Sequence, residues 1–158
     1  MARIRGFHAE IIAAQMKEIL ESKRYKFFDG KTPYDVNIIG VRRSEGQVNK
    51  FDDMLMVVYR DRSKRWCVNS YPITTDPGLY WLKKPSRVEG AAILRPDQYR
   101  SVYKIDKHAG KYEALCQRSG KIKIYRDSNL DEILDMDESS ITEGYYGINI
   151  HKAGSNST

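Results

Sequence analysis

Short β-rich segments, separated by turn residues, fill the sequence from Tyr34 onward and constrain the fold more than any other feature. Val, Ile and Tyr are enriched in them and favour strands, because their side chains pack well on a pleated surface. Since no helical pattern separates the segments, we expect a mainly β (α+β) fold, an antiparallel sandwich or barrel-like domain. The nine segments are YDVNIIGVR, DMLMVVYRD, RWCVNSY, GLYWL, AAILR, SVYKI, KYEALCQ, KIKIYR and YGINIH.

One strong helix signal, FHAEIIAAQMKEILESK, precedes the strands. Apolar residues recur there at helical spacing and predict an amphipathic helix with one apolar face. The face consists of Ile12, Met16, Ile19 and Leu20, with Ile11 at its edge. Gly30 and Pro33 then end the pattern. We therefore expect an N-terminal helical segment over residues 1–33 and a β-rich domain over residues 34–158.

Two polar stretches between strand-like segments have the composition of hairpin turns. They are DRSK, from Asp61 to Lys64, and RSG, residues 118–120. We expect each of them to join neighbouring antiparallel strands.

The formal net charge is +6 and the isoelectric point is about 9.2. A basic balance favours an acidic partner such as nucleic acid, phospholipid or an anionic cell-wall polymer. The basic residues are spread through segments of mixed sign, and they predict solvated surface rather than a nucleic-acid footprint. No apolar stretch approaches the length of a membrane span, so we expect no membrane insertion.

Cys67 and Cys116 each lie inside an apolar strand pattern. A disulfide between them is one alternative, but the pattern favours two buried, reduced thiols. No Cys/His cluster with the spacing of a zinc site occurs.

The acidic stretch DSNLDEILDMDE, residues 127–138, has the spacing of a calcium-binding loop. Calcium needs six or seven oxygen atoms that converge on one point, and this spacing supplies them. Glu132 stands where such loops have a glycine, so an acidic solvent loop is the alternative. The candidate calcium ligands are Asp127, Asn129, Asp131, Ile133 through its carbonyl, Asp135 and Glu138.

Other charged and titratable residues have simpler interpretations. Asp52 and Asp53 are adjacent, and on a strand they point to opposite faces, so they mark the start of a strand. His8 begins the predicted helix and His108 lies in the turn KHAGK, and we expect both to be exposed.

His151 ends the segment GYYGINIH. Alternate side chains of a strand share a face, so we expect His151 beside Asn149 and opposite Ile148 and Ile150. His151 is then either a half-buried histidine with ordinary partners or a general base held on a rigid strand.

The segment YPITTDPGLYWL, followed roughly seventy residues later by GYYGINIH, resembles the order of elements in the L,D-transpeptidase (YkuD-like) catalytic domain. In that family a TPxG-x-Y element starts a strand, and a later IH strand bears the catalytic base. NIIGVR, NKFDD, TTDPG, YRDSN and GINIHKAG are also similar, in the same order, to phage-encoded proteins of this type, over most of residues 35–155. The matching residues are Thr75, Asp76, Pro77, Gly78 and Tyr80, and then Gly147, Ile150 and His151.

The resemblance implies acyl transfer by a Cys–His pair that acts on peptidoglycan stem peptides. It implies that His151 is the base, that Tyr80 and Asn149 bind substrate, and that no cofactor is required. The family's cysteine follows the histidine by about fifteen to twenty residues in an S-x-GC segment, which this sequence does not contain. Lys152 stands where the family has glycine. We therefore expect an inactive chain unless it continues into such a segment.

Two further interpretations stay open. The same fold can serve as a structural or cargo component of a virion without catalysis, with virion proteins as partners. A small nucleic-acid-binding β-domain rests only on the charge and the tyrosine content. Arg3 and Arg5 precede an apolar run that Glu10 interrupts, so we expect no signal peptide and synthesis in the cytoplasm, with phage delivery to the host envelope.

Overall fold

The structure is a computed structural model that describes residues 1–153. The chain divides into a first compact unit, Met1–Thr74, and a second that begins at Thr75. The described residues are mainly β, as predicted: nine strands form three antiparallel sheets, none of which closes on itself, and one long helix lies at the N-terminus. The elements are β1 (Ala2–Arg5), α1 (Phe7–Ser22), β2 (Asn37–Val41), β3 (Asp53–Arg60), β4 (Trp66–Ile73), α2 (Gly78–Lys83), β5 (Ala91–Leu94), β6 (Tyr103–His108), β7 (Tyr112–Gln117), β8 (Ile122–Asp127) and β9 (Thr142–Gly144).

The first unit is a four-stranded antiparallel sheet in the order β1-β4-β3-β2. The predicted turn between Asp61 and Lys64 is confirmed. The Asp61 N–H donates to the Arg65 carbonyl oxygen at 3.0 Å, and the Asp61 carboxylate accepts from the Ser63 N–H at 2.9 Å. Strand β1 was not predicted, because its sequence ARIR has only four residues, too few to show a clear alternation of apolar and polar side chains.

Helix α1 packs on this sheet, and its apolar face differs slightly from the predicted one. Ala9 and Ala13 are fully buried against Val58 and Val68, because small side chains let the helix approach the sheet closely. Ile19, expected on this face, is 46% exposed. It falls at the rim because the buried side of the helix is centred on the two alanines. Ile12, Met16 and Leu20 pack against the core as expected.

The predicted strand GLYWL is wrong, since Gly78–Lys83 forms the short helix α2. Pro77 has φ −71° and precedes the first helical residue, and proline is pre-organised for a helix start. The helix buries Leu82 completely and leaves Tyr80 and Trp81 on the surface.

The second unit has a three-stranded sheet, β5-β8-β9, and the separate hairpin β6-β7. Its core contains Val102, Ile122 and Ile124, against which Ile148 packs. The prediction that residues 118–120 form a hairpin turn is wrong, because β7 and β8 pair with different strands. The N–H groups of Arg118 and Ser119 instead donate to the Val102 carbonyl oxygen, which directs the chain out of the hairpin.

The predicted strand YGINIH is also wrong over most of its length. Strand β9 ends at Gly144, and only Ile150 makes a β-bridge, to Leu115 on β7. Gly147 has φ +69°, a left-handed conformation that interrupts an extended run and suits glycine. His151 therefore follows an isolated bridge rather than a continuous strand.

Candidate functional site

A pair of histidines brings together two distant parts of the second unit. The turn after β6 contains Ala109 and Gly110, both with positive φ, and it reverses the chain so that His108 pairs with Tyr112. The bridge between Ile150 and Leu115 carries the C-terminal segment across the same hairpin. The imidazole of His151 consequently stacks on that of His108, with 4.0 Å between the ring centroids and 15° between the planes.

His108, Tyr112, Asn149 and His151 form what we call the histidine site. The Tyr112 Oη lies 3.2 Å from His151 Nδ1, and the Tyr112 ring packs against His108 with centroids 5.4 Å apart. The Asn149 Nδ2 lies 3.1 Å from His108 Nδ1. Asn149 and His151 thus both contact His108. The sequence prediction that His108 is an exposed residue is wrong, since it is half-buried.

The hydrogen bonds assign opposite tautomers to the two histidines. His151 Nδ1 lies 2.7 Å from the Lys152 carbonyl oxygen, which only accepts, so Nδ1 carries the proton. Asn149 Oδ1 accepts from the Gln117 N–H at 2.9 Å, which turns the Asn149 amide nitrogen toward His108. His108 Nδ1 therefore accepts, and its proton is on Nε2. In this tautomer the lone pair of His151 is on Nε2, which makes no hydrogen bond to the described part of the chain.

The surroundings of the histidine site are basic. Burial lowers the pKa of His108, and the neighbouring His151, Arg118 and Lys111 lower it further through charge repulsion. The Lys152 Nζ lies 4.7 Å from the centre of the Tyr112 ring, a cation–π arrangement. The positive charges around the histidine site consequently favour the binding of anionic groups.

Gln117 holds the segment that carries His151, and no sequence signal identified it. Its side chain is buried, and its Oε1 accepts from the N–H groups of Tyr146 and Gly147, both at 2.9 Å. Its Nε2 donates to the carbonyl oxygens of Gly120 and Gly144 at 3.0 and 2.9 Å. A glutamine at the end of a strand is an ordinary surface residue by pattern, so only the tertiary contacts reveal this role.

The TTDPG element leads into helix α2. Thr75, Asp76 and Pro77 precede α2 rather than a strand. Tyr80 is exposed and packs edge-on against Trp81, with ring centroids 5.0 Å apart. Within residues 1–153, no hydrogen bond, ion pair or ring contact joins Tyr80 to His151.

Both cysteines are free and buried, which confirms the prediction of reduced thiols. The Cys116 Sγ lies 3.5 Å from the Asp106 carbonyl oxygen, and the Cys67 Sγ lies 3.8 Å from the Arg65 carbonyl oxygen. Among residues 1–153, the Cys116 Sγ makes no hydrogen bond to His151, so Cys116 forms no Cys–His pair with it.

Asp52 and Asp53 stabilise the backbone around β3. Asp53 begins the strand, as predicted, and its Oδ1 accepts from the Arg43 N–H at 2.8 Å. Asp52 Oδ2 accepts from the Gln47 N–H at 2.9 Å. His8 is exposed at the start of α1, also as predicted.

Residues 127–138, which we call the acidic loop, leave the end of β8. Asp127 is completely buried, and its Oδ2 accepts from the Asp135 N–H at 3.0 Å. Its Oδ1 has no hydrogen-bond partner among the described residues. Burial raises the pKa of Asp127, and the nearby carboxylates of Asp135 and Asp131 raise it as well, against the lowering effect of the Asp135 N–H.

Four of the six predicted calcium ligands lie in this cluster. The Asn129 amide nitrogen bridges Asp131 Oδ2 at 2.8 Å and Asp135 Oδ2 at 2.7 Å. Ile133 contributes its N–H, which donates to Asp131 Oδ1 at 2.7 Å. As they stand, no three Asp, Glu, His or Cys side chains of the described residues are arranged to hold a metal ion.

The two glutamates of the loop have partners elsewhere. Glu138 accepts from Arg95 Nη2 at 3.2 Å and from Tyr125 Oη at 3.0 Å, so its carboxylate turns away from Asp127. Glu132 forms an ion pair with Lys83 at 2.5 Å. The loop turns at Leu130, where φ is +66°, and not at Glu132, where calcium loops place their glycine.

Comparison with known proteins adds no relative: the chain matches no family model, no curated protein and no solved structure. The resemblance to L,D-transpeptidases therefore stays a prediction. No helix among the described residues is both long and apolar enough to cross a membrane.

Proposed function

We propose that the second unit is a peptidoglycan-directed domain of the L,D-transpeptidase type, phage-encoded and with a sandwich-like arrangement of its sheets, in which His151 is the general base. The observation that carries the proposal is the state of the His151 imidazole. Its Nδ1 proton is held by the Lys152 carbonyl oxygen, the residue is exposed, and its Nε2 makes no hydrogen bond to residues 1–153. A general base needs this combination of fixed orientation and open lone pair.

In the proposed reaction a thiolate attacks a peptide carbonyl of the stem peptide. His151 Nε2 takes the thiol proton and later returns it to the leaving amine. Acyl transfer to a second amine cross-links the wall, and transfer to water hydrolyses the peptide. In this proposal the thiol is neither Cys67 nor Cys116, because both are buried.

The basic groups around the histidine site fit this substrate class. Stem peptides carry carboxylates, and Lys111, Arg118 and Lys152 lie around the paired imidazoles. Carboxylate groups of the peptide are therefore attracted to the surface on which the base lies.

Labelling with a thiol-reactive carbapenem tests the proposed function in the protein expressed from its complete reading frame. We expect covalent labelling that falls about 100-fold or more in His151→Gln, because the base is lost. A Cys67→Ser, Cys116→Ser double variant is the matched control and should label like the parent protein. Absence of labelling, or labelling that depends on the two buried cysteines, contradicts the proposal.

A structural or cargo role in a virion is the second candidate. The observation that favours it is that both cysteines are buried, so neither offers an exposed nucleophile. This role predicts stable association with particle proteins that survives His151→Gln. Co-sedimentation of the parent protein and the variant with purified particles distinguishes the two roles.

A further inference from the structure

A buried carboxylate oxygen without a partner marks the acidic loop. Asp127 is fully buried, and its Oδ1 makes no hydrogen bond to any residue from 1 to 153. A buried, charged oxygen that lacks a partner is strongly unfavourable, and native structures satisfy nearly all such atoms. We propose that the acidic loop is a calcium site in which Asp127, Asn129, Asp131 and Asp135 supply oxygen ligands.

The contacts in the loop show where the cation belongs. Asp127 faces the loop, because its second oxygen accepts from the Asp135 N–H at 3.0 Å. The side chains of Asp131 and Asp135 both bind the Asn129 amide nitrogen, at 2.8 and 2.7 Å. This weakly positive amide group lies between two carboxylates, which is where a cation binds most strongly.

The ligand chemistry selects calcium. All four side chains offer oxygen, and the cluster contains neither histidine nor cysteine, so zinc and softer metals are disfavoured. Calcium accepts six to eight oxygens in irregular geometry and tolerates water molecules in its shell, whereas magnesium requires a near-ideal octahedron. The positive φ at Leu130 places the turn within the cluster.

Calcium binding has to rearrange the side chains of the acidic loop. The side chains as they stand do not hold a metal ion, because the Asn129 amide nitrogen separates the Asp131 and Asp135 carboxylates. Calcium would displace this nitrogen and draw the carboxylates inward. Glu132 and Glu138 are not needed, since Lys83, Arg95 and Tyr125 hold them elsewhere.

Calcium titration of the whole protein, followed by thermal unfolding, tests the site. We expect Tm to rise by roughly 5 °C or more when calcium exceeds its Kd about 100-fold. Asp127→Asn should abolish this rise, because it removes the buried charge at nearly constant shape. Glu132→Gln is the matched control: it removes one charge from the same loop, and its calcium-dependent rise should equal that of the parent protein.

Terbium, a luminescent calcium substitute, gives a second readout that does not depend on stability. We expect sensitised emission that calcium displaces and that Asp131→Asn and Asp135→Asn each weaken by about tenfold or more. These variants keep the test decisive if Asp127→Asn does not fold. No Tm change with millimolar calcium, or equal loss in Glu132→Gln and the ligand variants, overturns the proposal. A response to magnesium equal to that to calcium also overturns the choice of metal.

Discussion

The imidazole of His151 stacks on that of His108 with 4.0 Å between the ring centroids. The two residues come from the end of β6 and from the segment after β9, which the bridge at Ile150 joins to the hairpin. Their hydrogen bonds put the proton on Nδ1 in His151 and on Nε2 in His108. At the two Nε2 atoms, His151 therefore offers a hydrogen-bond acceptor and His108 a donor.

The tautomers can be tested by ¹⁵N NMR of the histidine rings. When the rings are uncharged, we expect His108 as the Nε2–H form and His151 as the Nδ1–H form. Asn149→Asp replaces the amide donor by an acceptor of the same shape, so His108 should switch to the Nδ1–H form. An unchanged His108 spectrum in this variant would contradict the assignment.

The titration of His108 should depend on His151. Burial and the charge of His151 lower the pKa of His108 below its ordinary value of 6.5. In His151→Gln both effects are reduced, and we expect the pKa of His108 to move back toward 6.5. The measurement is an NMR pH titration, with His8→Gln as the control. Equal titration curves for His108 in the parent protein and His151→Gln would rule out the coupling.

The free energy of unfolding should fall as the pH decreases below about 6.5, because folding lowers the pKa of His108. The pKa of His108 is lower in the folded state, so the unfolded chain binds this proton first. The contribution of a neutral His108 is complete above the unfolded-state pKa and declines until the folded state is protonated as well. Urea unfolding across this pH range should show the decline, and His108→Gln should flatten the pH dependence in the same window.

Replacing Gln117 should release the segment that carries His151. Gln117→Leu keeps the volume but leaves the N–H groups of Tyr146 and Gly147 without their acceptor. We expect a loss of about 2–5 kcal/mol in the free energy of unfolding and faster hydrogen exchange at these two amides. Gln15→Leu, on the exposed side of α1, is the control and should change stability by at most about 0.5 kcal/mol.

Gly90 should not tolerate a side chain. It has φ +100°, and a Cβ would lie 2.0 Å from the Asp127 carbonyl oxygen. We expect Gly90→Ala to lower stability by about 3 kcal/mol or more, since backbone strain and overlap act together. Gly110 also has positive φ, +72°, but open space around it, so Gly110→Ala should cost about 1 kcal/mol. Equal losses of stability in the two variants, measured by denaturant unfolding, would contradict the predicted overlap between a Cβ at residue 90 and the Asp127 carbonyl oxygen.

Local patterns predicted the strands whose sequence alternates clearly over enough residues. KIKIYR forms a strand because apolar and polar residues alternate in it, and DMLMVVYRD forms one because a short apolar run is bounded by polar residues. GLYWL failed because Pro77 and Gly78 favour a helix start over a strand. YGINIH failed because Gly147 adopts a left-handed conformation and its N–H binds a side chain from β7.

By itself, the sequence determined that this protein is mainly β, that an amphipathic helix lies near its N-terminus, that its cysteines are buried, and that an acidic loop follows the KIKIYR strand. Each of these depends on neighbours along the chain. The tertiary structure alone decided that His151 stacks on His108, that Gln117 holds the segment that carries His151, and that Asp127 is buried with one oxygen unpaired within residues 1–153. These contacts join residues far apart in the sequence, and their geometry follows from how strands pair and pack, which no local periodicity encodes.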